Sequence, residues 1–472
     1  MADSSTGGLR AARDGVGPTS APGHPLGSPM FARLWCSQAV SSLGDWLGLV
    51  AITALAYRLG AGSDGAAISL VLIARLVPGL FLASFAGVLV DRWDRRRVMV
   101  ACDVGRGTVL ALLPFATNVG ELVAASFVLE MLTLMWTPAK EASVPNLVPP
   151  SFLPNANSLS LAAAYGTFPV AAALFAALAA AAPALGVRQE SLAMWADVAT
   201  FFLSAAVIST LSLPRPKPQE SGDRGFDLGR TIVELREGWQ FVVDSPVVRA
   251  VIIGLGTGMI GGAMIVPLGP IMAKQVFGAG PAGFGVLLAS LGVGVAGGIV
   301  GLGLVQHRVD HVRVFLAALL SAGPCLLLGA AMSHLGPACF CVGALGLCAG
   351  AVYVLGFSLL QANVADELRG RTFATLYATV RICVLLALTV APVLSGVLDV
   401  LSTATVRGQL HLGPATLSVP GVRLTLWLAG LIIVGAGLLA RRTLGSPVVA
   451  GAVVAGPVVA GPVVAAPAVE GP

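Results

Sequence analysis

Long, uninterrupted apolar runs alternate with short polar or Gly/Pro-containing breaks along most of this chain. A membrane-spanning helix needs about 20 predominantly apolar residues. The strands of an outer-membrane barrel alternate apolar and polar residues over about 10 positions. The runs in this chain are continuously apolar and show no such alternation. The pattern therefore predicts an all-α integral membrane protein with twelve spans, near residues 32–57, 66–90, 97–117, 121–140, 155–182, 191–213, 247–273, 281–305, 313–333, 336–362, 371–399 and 421–440.

A longer polar segment, residues 214–246, separates the spans into two sets of six. It begins with a proline-rich stretch and continues into residues 231–243, which predict an amphipathic helix with Ile232, Leu235 and Trp239 on one face. Such a helix is expected to lie along the membrane surface. We therefore expect a six-helix bundle over 31–213, a cytoplasmic linker, and a second six-helix bundle over 247–442.

The two ends of the chain predict no regular structure. Residues 1–30 are rich in Gly, Ser, Pro and Ala and are expected to form a disordered cytoplasmic tail. Residues 443–472 repeat the unit Gly-Pro-Val-Val-Ala, and the recurring prolines exclude a regular helix. This second tail is a low-complexity segment of apolar composition.

Composition and charge agree with this architecture. The chain is 56% hydrophobic and only 11% charged, whereas soluble domains are about 25% charged, so a soluble enzyme is excluded. With the N-terminus inside, cytoplasmic segments hold 20 of the 28 Lys and Arg residues and external segments hold five. Because basic residues stay on the cytoplasmic side, both ends are predicted to be cytoplasmic. The Ala, Gly, Val and Arg usage is typical of a bacterium with a GC-rich genome, which indicates a bacterial inner membrane.

A short internal repeat links the two halves. Residues 87–94 leave span 2 and residues 303–310 leave span 8, at a constant offset of 216. The matched positions are Gly87/Gly303, Arg92/Arg308 and Asp94/Asp310. Because these matches fall at the same place in two sets of six spans, they indicate a duplicated bundle.

The loop after span 2 carries a family resemblance. It reads Gly87-Val-Leu-Val-Asp91-Arg92-Trp-Asp94-Arg95-Arg96-Arg97 and resembles the cytoplasmic loop motif of the major facilitator superfamily. Its Asp-Arg-x-Asp-Arg-Arg form is similar to the subgroup that holds macrolide and enterobactin exporters. The resemblance covers residues 31–442. Five further segments resemble the same subgroup: Ser42–Asp45, Arg75–Pro78, Asp103–Arg106, Pro154–Ser158 and Asp366–Arg371. It implies the major facilitator fold, a secondary transporter with two pseudo-symmetric six-helix bundles, and alternating access.

The same resemblance implies a gate at this loop. Asp91 ends span 2 on the side where span 11 begins, near Gly370 and Arg371. A carboxylate beside a helix N-terminus gains about 0.3–1 kcal/mol, so Asp91 is expected to latch the two bundles. The gating residues would be Gly87, Asp91, Arg92, Asp94, Arg95, Arg96, Gly370 and Arg371. The alternative is a basic loop that only fixes orientation.

Several ionisable residues lie inside predicted spans, where a charge costs at least about 2.5–3.5 kcal/mol. Asp45 and Glu130 lie midway along spans 1 and 4 and are candidate proton-coupling or cation-binding sites. The alternative is a structural ion pair with Arg75 or Arg381. Those two arginines are also candidates for binding an anionic substrate or for setting the pKa of the carboxylates.

Asp103 and Arg106 on span 3 are three residues apart, so they share a helix face and can pair. They are expected to form a structural charge pair that braces the gating loop. The predicted spans thus contain six charged candidates. Five of them lie in the first half (Asp45, Arg75, Asp103, Arg106 and Glu130), and Arg381 lies in the second. We therefore expect the coupling chemistry in the N-terminal bundle.

Motifs for other chemistry are missing from the sequence. There is no Gly-x4-Gly-Lys-Ser/Thr loop, no His-Glu-x-x-His and no paired Cys/His set, so we expect no enzyme activity, no cofactor, no metal site and no nucleic-acid partner. The leading prediction is a monomeric exporter of small amphipathic or cationic compounds, drug-like or siderophore-like, that works by proton antiport. Its partners are the small-molecule substrate, protons and the lipid bilayer. The alternatives are an uncoupled facilitator or lipid-type transporter, and a non-transporting membrane scaffold or receptor.

Overall fold

The computed structural model describes residues 25–60, 64–90, 93–213, 240, 243, 245–305, 309–364, 366–412 and 415–444. Most of the two predicted tails and of the linker, together with Asp91 and Arg92, lies outside these residues. The described chain is helical almost throughout. Eleven of its helices are long and apolar enough to cross a membrane, and a shorter apolar stretch covers Gly65–Gly79.

These helices form the twelve predicted spans, which confirms the predicted fold. Spans 5 and 7 are each divided into two helices, and the bounds are: span 1 Pro29–Leu59, span 2 Asp64–Val90, span 3 Arg95–Leu112, span 4 Val119–Ser143, span 5 Leu153–Gly166 with Phe168–Ala181, span 6 Gln189–Ser209, span 7 Pro246–Ala263 with Ile265–Gln275, span 8 Gly280–Val305, span 9 His311–Ala331, span 10 Leu335–Asn363, span 11 Asp366–Val406 and span 12 Gly421–Leu444. Span 11 is the longest, with 41 residues, and is therefore about 60 Å long.

The internal repeat is visible in how two equivalent spans begin. Asp94 precedes span 3, and its side chain accepts a hydrogen bond of 3.1 Å from the Arg97 amide. Asp310 precedes span 9 and accepts from the amides of Val312 and Arg313, at 3.0 and 3.1 Å. Both carboxylates satisfy amide groups that a helix leaves unpaired in its first turn. The same cap therefore starts the same span in each half.

One element departs from the expected all-helical pattern. Gln409–Leu412 (β1) and Ala415–Ser418 (β2) form an antiparallel hairpin between spans 11 and 12, with Gln409 opposite Ser418. The hairpin is held in place by Arg423, the third residue of span 12, which is fully buried. Its guanidinium donates to the carbonyls of Ala330 at 2.8 Å, Met332 at 2.7 Å and Ser418. These carbonyls, at the end of span 9 and of β2, are what allow the charge to be buried.

The two halves of the molecule contact each other through a limited set of helices. Span 1 begins and span 12 ends on the same side of the membrane, here called the terminal side; the opposite side is called the far side. Span 2 packs on span 11, and the second helix of span 5 packs on span 8. Ser69 donates to the Leu388 carbonyl at 3.2 Å, and the Phe175 and Phe284 rings meet edge-on at 6.5 Å. Both contacts lie in the far half of the membrane.

Candidate functional site

A buried arginine organises the interior of the N-terminal half. Arg106 on span 3 is only 1% exposed; its guanidinium forms an ion pair with Asp103 and a longer one, at 3.4 Å, with Asp45 on span 1. The second oxygen of Asp103 accepts a hydrogen bond of 2.7 Å from Ser204 on span 6. The Asp45 side chain is 31% exposed. Arg106 therefore joins spans 1, 3 and 6, and Asp45 is the most accessible member of the group.

Aromatic rings complete the surroundings of Arg106. Its guanidinium carbon lies 4.5 Å from the centre of the Phe201 ring and 5.3 Å from that of Trp136. A cation over an aromatic face gains about 0.5–2 kcal/mol when it is desolvated. Nε of Arg106 and Nε1 of Trp136 are buried and have no hydrogen-bond partner among the described residues.

A small cavity opens beside this group. It has a volume of about 10 Å³, which is room for about one water molecule. It is lined by four charged side chains and four apolar ones: Asp45, Arg75, Arg106 and Asp197, with Ile52, Leu110, Leu129 and Phe201. Sites for drug-sized ligands usually measure about 300–1,000 Å³. The cavity therefore suits water and protons better than a bulky substrate.

The predicted charge pair between Asp103 and Arg106 is present. The helix of span 3 starts at Arg95, so Asp103 lies about 12 Å inside it. Among the described residues, the pair contacts Asp45 and Ser204 in the bundle interior. Because Asp91 and Arg92 lie outside the described residues, the expectation that the pair braces the gating loop stays a prediction.

Other arginines hold the start of span 3. Arg95 donates to the Ala142 carbonyl at 2.7 Å, and Arg96 donates to the Leu211 carbonyl at 3.3 Å. The motif therefore ties span 3 to the ends of spans 4 and 6. Gly87 is in the helix of span 2, and Gly370 and Arg371 are in the helix of span 11. Because Asp91 and Arg92 lie outside the described residues, the gate between them and span 11 stays a prediction.

Glu130 and Arg381 come together where the two halves meet. A Cβ atom placed on Gly79 of span 2 would lie 2.8 Å from Nη2 of Arg381 and 3.3 Å from Oε1 of Glu130. Glu130 also interacts electrostatically with Arg75. Arg381 on span 11 thus reaches the N-terminal half at a glycine, and it faces Glu130 there. The structure brings all four candidate residues, Asp45, Glu130, Arg75 and Arg381, into one region around the middle of the membrane.

Sequence reasoning missed one carboxylate in this region. Asp197 on span 6 is 2% exposed and lines the same cavity as Asp45. It stands in an apolar run between Trp195 and Phe201. The criterion that selected Asp45, an ionisable residue inside an apolar span, would have selected Asp197 as well.

An aromatic group lies where span 1 meets span 5, and its Trp46 follows Asp45 in the sequence. The Trp46 indole donates to the Ala164 carbonyl at 2.7 Å and meets the Phe168 ring edge-on at 5.0 Å. Tyr165, 6.5 Å from Trp46, is 65% exposed. Aromatic faces beside a carboxylate are suited to a cation with an apolar body. For a metal ion the described residues offer no group of three or more His, Cys, Asp or Glu side chains.

Comparison with known proteins places this architecture in a family. The sequence profile of the Major Facilitator Superfamily matches residues 34–388. This chain belongs to the Major Facilitator Superfamily. It is a multi-pass membrane transporter, as the resemblance of the loop motif implied.

Two relatives are similar over most of the superfamily domain. The uncharacterized MFS-type transporter YfiS of Bacillus subtilis is 24% identical over 368 residues, covering 75% of this chain and 84% of the relative. Macrolide efflux protein A of Streptococcus pyogenes is 23% identical over 352 residues, covering 73% and 84%.

Solved transporter structures share the fold at low sequence identity. A bacterial homolog of the human lysosomal transporter Spinster, in an inward-facing and unoccupied conformation, aligns with a TM-score of 0.67 and 14% identity, covering 89% of this chain and 99% of that one. The nucleoside transporter NupG aligns with a TM-score of 0.63 and 10% identity, covering 88% and 99%. Both alignments cover nearly the whole of the solved transporter, so the fold is shared throughout.

Proposed function

We propose that this transporter exports small amphipathic or cationic compounds by proton antiport, as a monomer in a bacterial inner membrane with both ends in the cytoplasm. The observation that carries the proposal is the position of Asp45. This carboxylate lies midway along span 1, is partly exposed, and is held by Arg106 at 3.4 Å, while Arg106 keeps a second partner in Asp103.

This arrangement lets Asp45 exchange a proton without leaving Arg106 unpaired. When Asp45 is ionised, its negative charge attracts Arg106 or a substrate cation. When it is protonated, that attraction is lost, and Asp103 still neutralises Arg106. A proton and a cationic substrate therefore compete for the same carboxylate, which is the basic requirement of antiport.

Glu130 and Arg381 supply a link between proton binding and the two halves. Arg381 reaches from span 11 to Gly79 and Glu130 in the N-terminal half. A change in the charge of Glu130 alters the attraction that holds this contact. Protonation of Glu130, or a cation bound to it, would thereby weaken the packing of span 11 on span 2.

The substrate class rests on the side chains around Asp45 and on a relative. Trp46, Phe168 and the exposed Tyr165 form an aromatic group that begins one residue after Asp45 on span 1. Such a site favours cations with an apolar body. Macrolides are compounds of this kind, and a macrolide efflux protein is among the relatives.

The test measures proton movement in proteoliposomes that contain a pH-sensitive dye. Erythromycin and tetraphenylphosphonium serve as probes, with wild type, Asp45→Asn and Glu130→Gln. We expect probe-dependent proton flux in wild type and a loss of at least tenfold in Asp45→Asn. The matched control is Glu141→Gln, an exposed carboxylate at the end of span 4, which should keep the wild-type rate.

The other outcomes identify the alternatives. Probe movement without proton flux in wild type would replace antiport by an uncoupled facilitator or a lipid-type transporter. If a wider panel of compounds gave neither probe movement nor proton flux, a scaffold or receptor would become the better interpretation. Wild-type flux in Asp45→Asn would remove Asp45 from the coupling site.

A further inference from the structure

Asp197 occupies a cradle that two glycines provide. A Cβ atom placed on Gly44 would lie 2.2 Å from Oδ1 of Asp197, and one placed on Gly48 would lie 2.2 Å from Oδ2. The two glycines are four residues apart, so they share one face of span 1. Any larger side chain at either position would displace the carboxylate. The cradle therefore fits the carboxyl group of span 6 against the backbone of span 1.

The carboxylate of Asp197 has little to neutralise it. Thr200 donates one hydrogen bond to Oδ1 at 3.1 Å. Within the described part of the chain, no basic group lies within ion-pair distance of Asp197. A buried carboxylate without a cation is costly in a membrane, and binding a proton removes that cost.

The charged groups that face Asp197 come from three spans. They are Asp45 on span 1, Arg75 on span 2, and Arg106 with its partner Asp103 on span 3. Asp45, Arg75 and Arg106 also line the same cavity as Asp197. The second helix of span 5 and span 8, which also contact span 6, contain no titratable side chain.

The cavity connects the two carboxylates. Asp45 and Asp197 line it together with Arg106. Arg106 is almost fully buried, and its Nε atom has no partner in the described protein. Buried polar atoms of this kind are normally satisfied by ordered water. The cavity is therefore suited to about one bridging water molecule between Asp45 and Asp197.

We propose that Asp197 is a second proton-binding carboxylate, which exchanges its proton with Asp45 across this cavity. An O–H bond forms at a carboxylate oxygen of Asp197 as an O–H bond of the bridging water breaks. At Asp45 an O–H bond breaks as the water gains a proton, so the water is regenerated. No electrons are gained or lost. Because two neighbouring carboxylates resist being ionised together, the pair holds one proton between them. The role in coupling rests on the proposed antiport, whereas proton binding at Asp197 does not.

The test is a pH titration of the full-length protein in liposomes by infrared spectroscopy, with no substrate added. The protonated carboxyl group has a C=O stretching band that shifts in D2O. We expect the titrating band of wild type to lose the component of Asp197 in Asp197→Asn, while the component of Asp45 remains. The matched control is Glu190→Gln on the same span, since Glu190 already has a cation partner in Arg58 at 2.5 Å and should not contribute to the band. Asp45→Asn should move the midpoint to lower pH by about one unit, because it removes a neighbouring negative charge.

Each other result has a definite meaning. An identical titrating band in wild type and in folded Asp197→Asn would overturn the proposal. If Asp197→Asn does not fold, Thr200→Val provides the second test. It removes the hydroxyl that stabilises the ionised form, so the midpoint should rise, and an unchanged midpoint would also overturn the proposal. Another outcome is that the titrating band depends on Asp197 as expected while erythromycin drives no proton flux. That combination would reject the proposed antiport but keep Asp197 as a proton-binding site.

Discussion

Arg106 is the residue on which the charged interior of the N-terminal half depends. Arg106→Met keeps much of the side-chain length but leaves Asp45 and Asp103 without their cation. Removing one partner from a buried charge pair costs about 3–5 kcal/mol. We therefore expect a large drop in the apparent melting temperature of the detergent-solubilised protein, measured by the loss of its monodisperse peak after heating.

The control for this variant is an ion pair of the same type at the surface. Arg313→Met breaks a pair with Asp310 in which the side chains are 86% and 51% exposed. Exposed pairs contribute about 0–1 kcal/mol, so the melting temperature should hardly change. Equal effects of Arg106→Met and Arg313→Met would show that the buried pair is not a source of stability.

At this scale the sequence identified most of the charged residues but not their partners. Asp45, Glu130, Arg75 and Arg381 were found because a charge inside an apolar run is conspicuous. The glycine cradle of Asp197 could not be predicted, because it depends on the rotation of span 1 against span 6. The contacts of the Asp103–Arg106 pair with Asp45 and Ser204 could not be predicted for the same reason, because position along a helix does not reveal which neighbour the helix faces.

At the scale of elements, spans 8 and 10 pack with their backbones in close contact. Cβ atoms placed on Gly294 and Gly298 would lie 2.0 and 2.3 Å from the carbonyls of Gly343 and Leu347. On the other helix, Cβ atoms on Gly346 and Gly350 would lie 2.2 and 2.3 Å from backbone carbonyls of span 8. Small residues let membrane helices approach this closely. The glycines of span 8 thus serve packing at these positions.

A pair of adjacent glycines tests this packing. Gly298→Ala places a methyl group against the Leu347 carbonyl, whereas Gly297→Ala meets nothing within 4 Å. Both variants gain the same helix propensity, so their difference isolates the contact. We expect Gly298→Ala to be the less stable by about 1–3 kcal/mol, measured by thermal unfolding in detergent. Indistinguishable melting curves would contradict the close approach.

The spans themselves were predictable, because about 20 apolar residues leave a strong signal and the observed bounds follow the apolar runs closely. The hairpin of Gln409–Leu412 and Ala415–Ser418 was not, since two strands of four residues leave almost no pattern. The burial of Arg423 was missed because the carbonyls that satisfy it come from distant residues, Ala330 and Met332. Local sequence predicts the helices, whereas the burial of a charge at the end of a helix depends on partners that are distant in the sequence.

At the scale of the whole molecule, the described contacts between the halves hold the far side together. Gly285 on span 8 is central, since a Cβ atom placed on it would lie 2.8 Å from the backbone nitrogen of Ala176 on span 5. At the edge of the same region, Lys274 Nζ lies 5.2 Å from the centre of the Tyr57 ring. These contacts stabilise a state closed on the far side, and their loss should favour other arrangements of the two halves.

Gly285→Leu should wedge spans 5 and 8 apart. A penalty of about 1–3 kcal/mol on the far-closed state would change its population ratio about 5- to 150-fold.

The measurement uses pairs of spin labels in a chain whose seven native cysteines are replaced. Labels on cysteines at Val187 and Val400 report the far side, and labels at Thr210 and Arg313 report the terminal side. We expect longer distances for the far pair and shorter distances for the terminal pair. Gly297→Leu, on the same helix in open space, is the control. If Gly285→Leu leaves both distance distributions as they are in that control, the contact between spans 5 and 8 does not set the balance between the two sides.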